Sequence, residues 1–280
     1  MMRRPAVAGT FYNGNRESLI KQIEWCYKHA HGPRRIPEPR AGDRRLVGLV
    51  SPHAGYMYSG PVAAHGFYFL SLDGKPGSII IIGPNHSGLG SGVSIMTKGK
   101  WMTPLGNVEI DRPLAEEIAK ASDIIDVDET AHEYEHSLEV QLPFLQHIFN
   151  GDFKMVPICM MMQDEQTSEE VGLAIARATK GKDVVIIAST DFTHYEPQKV
   201  AAAKDKKAID KILSLDWRDL LNVVRKEDIS MCGYGPVASM LRAAIELGAK
   251  EAKLLKYATS GDTSGPMPQV VGYGSIAVLR

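Results

Sequence analysis

The feature that most constrains the fold of this chain is the alternation of short apolar runs with stretches of helical periodicity. Several of the runs are apolar on both faces, as expected of strands that helices cover on each side. The predicted strands are 46–51, 78–84, 153–158, 183–190, 253–259 and 270–279. The predicted helices are 16–30, 60–71, 112–121, 136–149, 167–180, 197–213 and 234–247. This alternation predicts an α/β fold in which helices flank a central parallel or mixed β-sheet.

The chain shows no sequence break that would divide it into domains. Its 280 residues are enough for one large domain or two small ones. We find no repeat, no low-complexity tract and no Gly/Ser linker, and the Pro- and Arg-rich stretch 32–45 lies too near the N-terminus to separate two domains. We therefore expect a single domain over residues 1–280.

Charge and cysteine content argue against several classes of protein. Lys plus Arg number 32 against 33 Asp plus Glu, so the chain lacks the basic surplus typical of nucleic-acid-binding proteins. No stretch approaches the ~18 apolar residues of a membrane span. The cysteines, Cys26, Cys159 and Cys232, are far apart, which argues against a disulfide framework. We expect a cytoplasmic protein that binds neither nucleic acid nor membrane, and we leave its oligomeric state open.

Histidines follow three of the predicted strands near the point where each strand ends. His53 and His86 follow the first two strands, and His194, with Asp191 before it, follows the fourth. Ligands of α/β sheets bind outside the carboxyl ends of the strands, so we expect these side chains to meet at one edge. Gly and Pro bracket the loops of His53 and His86 and favour a fixed orientation of each imidazole. Each histidine alone suits a loop residue bonded to a carbonyl, but the set favours a metal site, with Asp191 and His194 as an acid/base pair.

Cys232 is a further candidate for the same site. It stands just before a Gly/Pro turn and the predicted helix 234–247, and a cysteine at a helix N-terminus can act as a thiolate ligand or nucleophile. The alternative is a small buried filler, which is the interpretation we give to Cys26 and Cys159. The methionines at 160–162 offer soft thioether ligands, although packing or cleft lining is the expected role.

Residues 132–136 read HEYEH and match the metalloprotease pattern H-E-x-x-H. On a helix, His132 and His136 would share one face and hold zinc, while Glu133 would polarise the attacking water. A pattern this short arises easily by chance, and Pro143 is expected to interrupt the helix soon after it. A zinc hydrolase built on these residues is one hypothesis for the chain.

A set of distinctive segments runs in order along the chain: PAVAGTFY, SPHAGYMYSG, GPNHSG, TPLGNVEID, EHSLEVQLPFL, STDFTHY, SMCGYGP, SGDTSG and VVGYGSIA. Taken together and in this order, they resemble the Memo family, which is named after a mediator of receptor-tyrosine-kinase-driven cell motility. They cover nearly the whole chain, and several are long and unusual, so the resemblance is specific. It implies a single Memo-like domain with a fold similar to that of class III extradiol dioxygenases, the non-haem iron enzymes that open catechol rings.

The resemblance also implies roles for individual residues. In the dioxygenases two histidines and one carboxylate hold iron(II). Carried over, His53 and His86 take the two histidine places, and Cys232 falls on the place of the carboxylate. His194 matches the acid/base histidine, with Asp191 beside it. Because a thiolate is softer than a carboxylate, we expect the site to accept copper or zinc as well as iron(II).

The resemblance changes the interpretation of HEYEH. His136 and Glu139, one turn apart, would face the cleft beside the metal, where they would contact substrate or support the ligands. His132 would then lie at the surface or rim, and the metalloprotease match would be accidental.

The sequence leaves three functional hypotheses open. The leading one is a metal-binding protein in which His53, His86 and Cys232 hold iron or copper for redox chemistry on a small molecule. The second is a binding module whose cleft holds a metabolite or a peptide without turnover, since the family is also described as binding phosphotyrosine peptides. The third is the zinc hydrolase.

Overall fold

The computed structural model of the chain describes residues 2–38, 40–263 and 265–280. Its strands are β1 (Met2–Arg3), β2 (Leu46–Ser51), β3 (Ser78–Pro84), β4 (Val93–Ile95), β5 (Lys100–Thr103), β6 (Gly106–Ile110), β7 (Asp126–Val127), β8 (Lys154–Met160), β9 (Val184–Ser189), β10 (His194–Glu196), β11 (Glu251–Thr259) and β12 (Val270–Leu279). Its α-helices are α1 (Arg16–Lys28), α2 (Gly60–Asp73), α3 (Arg112–Lys120), α4 (Leu142–Phe149), α5 (Glu165–Thr179), α6 (Gln198–Leu213), α7 (Trp217–Lys226), α8 (Tyr234–Glu246) and α9 (Ser260–Thr263). Two 3₁₀ turns, Thr130–His132 and Glu139–Gln141, precede α4.

A mixed sheet forms the centre of the fold, in the order β1-β5-β6-β8-β3-β9-β2-β12-β10, with β11 paired to β12. Strands β6, β8, β3, β9 and β2 run parallel to one another, and β12 is antiparallel to β2. Every residue of β2, β3 and β9 is buried, as expected of strands covered on both faces. The predicted α/β fold with a mixed sheet flanked by helices is confirmed.

The parallel strands bring their carboxyl ends to one edge of the sheet. Ser51 at the end of β2 is in register with Ser189 at the end of β9, and β3 runs parallel to β9 on its other side. His86 and Asp191, which follow β3 and β9, therefore emerge at the same edge, as predicted. This edge carries the candidate site.

The predicted helix 136–149 is shorter than expected and begins, as α4, only at Leu142. Pro143 lies in its first turn, where a missing backbone N–H removes no helical hydrogen bond. Pro143 therefore helps to start a helix and does not interrupt one. The residues before α4 form 3₁₀ turns and loops, so HEYEH is not helical and its histidines do not share a helix face.

A buried ion pair fixes the N-terminal segment, residues 2–12. Arg3 and Glu139 form this pair, with side chains only 4% and 0% exposed. The other donors to Glu139 are the backbone N–H groups of Ala6 (2.7 Å) and Val7 (3.1 Å) and the hydroxyl of Tyr12 (2.5 Å). A buried carboxylate needs donors of this kind, so the role visible for Glu139 is to anchor the N-terminal segment.

Helix α2 packs against the sheet, and most of its residues are buried. In the described part of the chain, no helix combines the length and apolar character needed to cross a membrane.

Candidate metal centre

The predicted metal ligands converge at the carboxyl edge of the sheet. One ligand atom from each of His53, His86 and Cys232 lies within 4.8 Å of the other two. Nε2 of His53 is 3.2 Å from Sγ of Cys232, and the ring centroids of His53 and His86 are 5.1 Å apart. Metal–ligand bonds are typically ~2.0–2.1 Å to nitrogen and ~2.3 Å to sulfur, so atoms grouped in this way could act as ligands of one ion.

Close packing holds the loop of Cys232 against the end of β9. A Cβ atom on Gly233 would lie 2.4 Å from the backbone oxygen of Ser189, so only glycine allows this approach. The side chain of Gln163 clamps the loop from the other side: Nε2 donates to the carbonyl of Cys232 (3.0 Å) and Oε1 accepts from the N–H of Gly235 (2.9 Å). The thiol is thus carried on a rigid loop at the start of α8.

Each candidate imidazole is held by a hydrogen bond to Nδ1. Nδ1 of His53 lies 2.9 Å from Oγ of Ser189, and Nδ1 of His86 lies 2.9 Å from Oε1 of Glu135. Histidines that bind metals usually bind a second protein group through their other nitrogen, which fixes the ring and its tautomer. The donor set of this site therefore fits a metal ion.

Glu135 belongs to the site although sequence reasoning did not single it out. It is completely buried, Oε2 accepts the backbone N–H of His86 (2.5 Å), and Oε1 accepts that of Ser137 (2.8 Å). Burial raises the pKa of Glu135, but hydrogen bonding and charge interaction with His86 outweigh it and bring the pKa to about 2. A signal was present, because Glu135 opens the family-like segment EHSLEVQLPFL.

A second group of metal-binding side chains consists of His86, Glu135 and His136, whose ligand atoms lie within 4.8 Å of one another. Nδ1 of His86 and both oxygens of Glu135 already take part in hydrogen bonds, so this group acts to orient His86 and is poorly suited to hold a separate ion. The ring centroid of His136 lies 4.4 Å from that of His86 and 4.9 Å from that of Phe11. Burial lowers the pKa of His136 to about 4, which keeps the ring neutral at pH 7.

Glu139 does not face the cleft, so its expected place beside the metal is wrong. Its carboxylate is turned toward the N-terminal segment, because Arg3 is buried there and requires an opposite charge. Of His136 and Glu139, only His136 lies beside the candidate metal ligands.

Asp191 connects the two ligand-bearing loops. Its Oδ1 accepts the backbone N–H of His53 (2.8 Å), and its own N–H donates to Sγ of Cys232 (3.2 Å). Burial raises the pKa of Asp191 to about 6, against the lowering effects of the His53 N–H and of His194. A carboxyl group with this pKa can exchange a proton near neutral pH.

His194 lies in β10, at the same edge but outside the ligand cluster. Nδ1 of its ring is 2.8 Å from the carbonyl of Ser230, and its backbone N–H donates to Oγ of Ser230 (2.7 Å). A carbonyl only accepts, so Nδ1 donates to it, and in the neutral ring Nε2 keeps its lone pair. The ring is half-buried and is therefore accessible from solvent.

Burial sets the charge state of the cluster. It lowers the pKa of His53 well below its usual range and raises the pKa of the Cys232 thiol. Without a cation His53 is therefore neutral, and Cys232 carries a protonated thiol. A bound cation would favour the thiolate and would make binding release a proton.

His132 is not at the surface or rim, where we expected it. It is 0% exposed, and its ring lies against Trp101 with centroids 5.9 Å apart. Burial, followed by the charge of Arg3, lowers its pKa to about 4. His132 is also missing from both groups of potential metal ligands found in the described ranges. The geometry required by the zinc hydrolase hypothesis is therefore absent from these residues.

Together, the fold and the site define a class of protein: a mixed-sheet α/β protein with two histidines and a cysteine converging at the carboxyl ends of its strands. The chain belongs to the Memo family, because residues 3–277 match the family described as Memo-like protein.

Several archaeal relatives carry the same family description. A MEMO1 family protein of Methanopyrus kandleri is 51% identical over 282 residues, covering 100% of both chains. One from Methanothermobacter thermautotrophicus is 52% identical, covering 99% of this chain and 100% of the relative. One from Sulfurisphaera tokodaii is 51% identical, covering 99% of each. The predicted family is confirmed.

A solved structure also shares the fold. It is the crystal structure of an uncharacterized protein from Escherichia coli K12, with a TM-score of 0.57 and 14% identity, covering 83% of this chain and 99% of that chain. At this identity the likeness concerns the fold alone. It agrees with the predicted α/β architecture.

Proposed function

We propose that this chain is a metal-binding protein in which His53, His86 and Cys232 hold one iron(II) or copper ion, with zinc as a further admissible metal. The observation that carries the proposal is the orientation of the two imidazoles. Each ring is anchored through Nδ1, and the free nitrogen of His53 lies 3.2 Å from the sulfur of Cys232. Two nitrogen donors and one thiolate suit soft or borderline transition metals.

We further propose metal-dependent redox chemistry on a small molecule. A bound iron or copper ion would supply the electron transfer. Asp191, with its pKa near 6, and His194, with its free Nε2, would hold and move protons at the cleft. Phe11 and His136 would form the apolar wall against which the substrate rests.

A second candidate function is a cleft that binds a peptide or metabolite without turnover. It is favoured by large apolar side chains that stay exposed in the segments after the same strands. These are Met57, Tyr58, Leu89 and Tyr195, which are between 40% and 72% exposed. On either function we propose a cytoplasmic protein without a nucleic-acid partner, since positive and negative charges nearly cancel.

Metal analysis of protein purified without a His tag, with and without oxygen, tests the leading proposal. We expect close to one equivalent of iron or copper per chain, lost in His53→Ala and retained in the control His132→Leu. Oxygen consumption or product formation by the metal-loaded protein would then separate the redox function from simple binding. Protein that contains no metal in either preparation and binds neither added Fe²⁺ nor Cu⁺ would contradict the proposal and favour the binding cleft.

A further inference from the structure

Ser189 lies at the end of β9, fully buried behind His53. Its Oγ is 2.9 Å from Nδ1 of His53, 2.7 Å from the carbonyl oxygen of Ser137 and 2.8 Å from Nε2 of Gln141. All three partners are themselves buried, at 2% exposure or less. The protein groups alone therefore decide where the protons of this network lie.

Only one placement of the protons satisfies all three hydrogen bonds of the Ser189 hydroxyl. A hydroxyl donates one proton and accepts through two lone pairs. The carbonyl of Ser137 can only accept, so it receives the Ser189 proton. The amide nitrogen of Gln141 can only donate, so it occupies one lone pair. The remaining lone pair faces His53 and requires a proton on Nδ1.

Reversing the side-chain amide of Gln141 would cost it a buried hydrogen bond. Its Oε1 accepts from Oγ of Ser51 (2.8 Å), and its Nε2 also donates to the carbonyl of Pro52 (3.1 Å). A reversed amide would place Oε1 against the carbonyl oxygen of Pro52, where two acceptors would face each other in a buried site. The contacts with Ser51 and Pro52 therefore fix the orientation of the amide, and Nε2 of Gln141 is the atom that faces Ser189.

We propose that Ser189 is a positioning residue that holds His53 in the tautomer with its proton on Nδ1. The lone pair of Nε2 then points toward Sγ of Cys232, 3.2 Å away. In the opposite tautomer Ser189 would have to donate to His53, and the carbonyl of Ser137 would lose its 2.7 Å hydrogen bond out of reach of water. The tautomer follows from the network itself, and only its consequence for metal affinity rests on the proposed function.

The tautomer can be measured on the metal-free, reduced protein by two-bond ¹H–¹⁵N correlation NMR of the His53 ring. We expect wild-type protein to carry the proton on Nδ1. In Ser189→Ala, Nδ1 has no acceptor, so we expect the proton to move to Nε2. The affinity for Co²⁺, followed by its absorption bands, should then fall by ~10–100-fold, as is typical when the group that orients a ligand is lost.

Ser51→Ala is the matched control. Ser51 is an equally buried serine, in register with Ser189 on the neighbouring strand, and its hydroxyl donates to Oε1 of the same Gln141. We expect the control to keep the wild-type tautomer, and we expect Ser189→Thr, which retains the hydroxyl, to restore it.

Two results would overturn the inference: a wild-type His53 protonated on Nε2, or a Ser189→Ala variant that keeps the wild-type tautomer. The wild-type measurement stands on its own if Ser189→Ala does not fold. Wild-type protein that shows the expected tautomer but binds no Co²⁺ would overturn the metal function and leave the role of Ser189 intact.

Discussion

Glu135 binds His86 through both of its carboxylate oxygens: Oε2 accepts the backbone N–H at 2.5 Å, and Oε1 pairs with Nδ1 of the ring at 2.9 Å. The first bond fixes the loop after β3, and the second fixes the direction of the imidazole. A carboxylate that binds Nδ1 also makes Nε2, the other ring nitrogen, a stronger metal ligand.

Glu135→Gln should weaken metal binding by ~10–100-fold, because the amide keeps the size of the side chain but loses its charge and one acceptor. Titration with Co²⁺ or Fe²⁺ measures the effect. Glu133→Gln, an exposed carboxylate two residues earlier, is the control. An equal loss in both variants would contradict the role of Glu135.

Cys232→Ser and His194→Ala should separate metal binding from proton transfer. The serine hydroxyl is a much poorer ligand than a thiolate, so the Cys232 variant should lose metal. The His194 variant should keep its metal but lose turnover by ~10²–10⁴-fold, the usual effect of removing a general acid or base. Bound metal and oxygen consumption measured on both proteins decide the matter. The opposite pattern would reverse the two roles.

His132 should make the folded state less stable in acid. Its pKa is about 4 in the folded protein against 6.5 when unperturbed, so the unfolded chain binds a proton first as the pH falls. The free energy of unfolding should therefore decrease between pH 6.5 and 4, by about 3 kcal/mol in total for this group. Neither ring nitrogen has a hydrogen-bond partner among the described residues. His132→Leu should therefore abolish this pH-dependent decrease in the free energy of unfolding, without an equally large destabilisation at pH 7. Urea unfolding at pH 7 and pH 5 tests this, and an equally steep decline in the variant would contradict it.

Arg3→Met should destabilise the protein by about 3–5 kcal/mol, because it leaves the carboxylate of Glu139 buried without its cation. The variant also removes the hydrogen bond from Arg3 to the carbonyl of Glu135 (2.6 Å). Arg4→Met, at an exposed neighbouring position, should change stability by no more than about 0.5 kcal/mol. Urea unfolding compares the two, and similar values for both would show that the buried pair contributes little.

The buried central strands are the part of the fold that sequence predicts best. The predicted strands 46–51, 78–84 and 270–279 match β2, β3 and β12 to the residue, because long apolar runs leave little choice of boundary. The hairpin of β5 and β6 escapes prediction, since these strands are short and partly exposed. Helix α7 escapes it too, although its amphipathic pattern and the cap at Asp216 are visible in the sequence.

The candidate site is predictable as far as side chains follow the strand ends. His53 and His86 follow β2 and β3, which flank β9, at one edge of the sheet, and Cys232 stands just before α8 at the same edge. The orientation of Glu139 was not predictable, because it depends on Arg3, whose burial only the folded chain reveals. The same holds for Ser189: it opens the family-like segment STDFTHY, but only the packing of the folded chain shows its contact with His53.

The docking of the N-terminal segment on Glu139 has a consequence for the order of folding. Arg3 and Glu139 are 136 residues apart in sequence, so the segment can dock only after much of the intervening chain has folded. Once the central strands have formed, this segment, with β1, can also detach locally while the other strands remain paired, and this would uncover His136 where Phe11 now lies against it. The amide protons of Ala6 and Val7, both donated to Glu139, would report each opening through hydrogen exchange faster than that of β3.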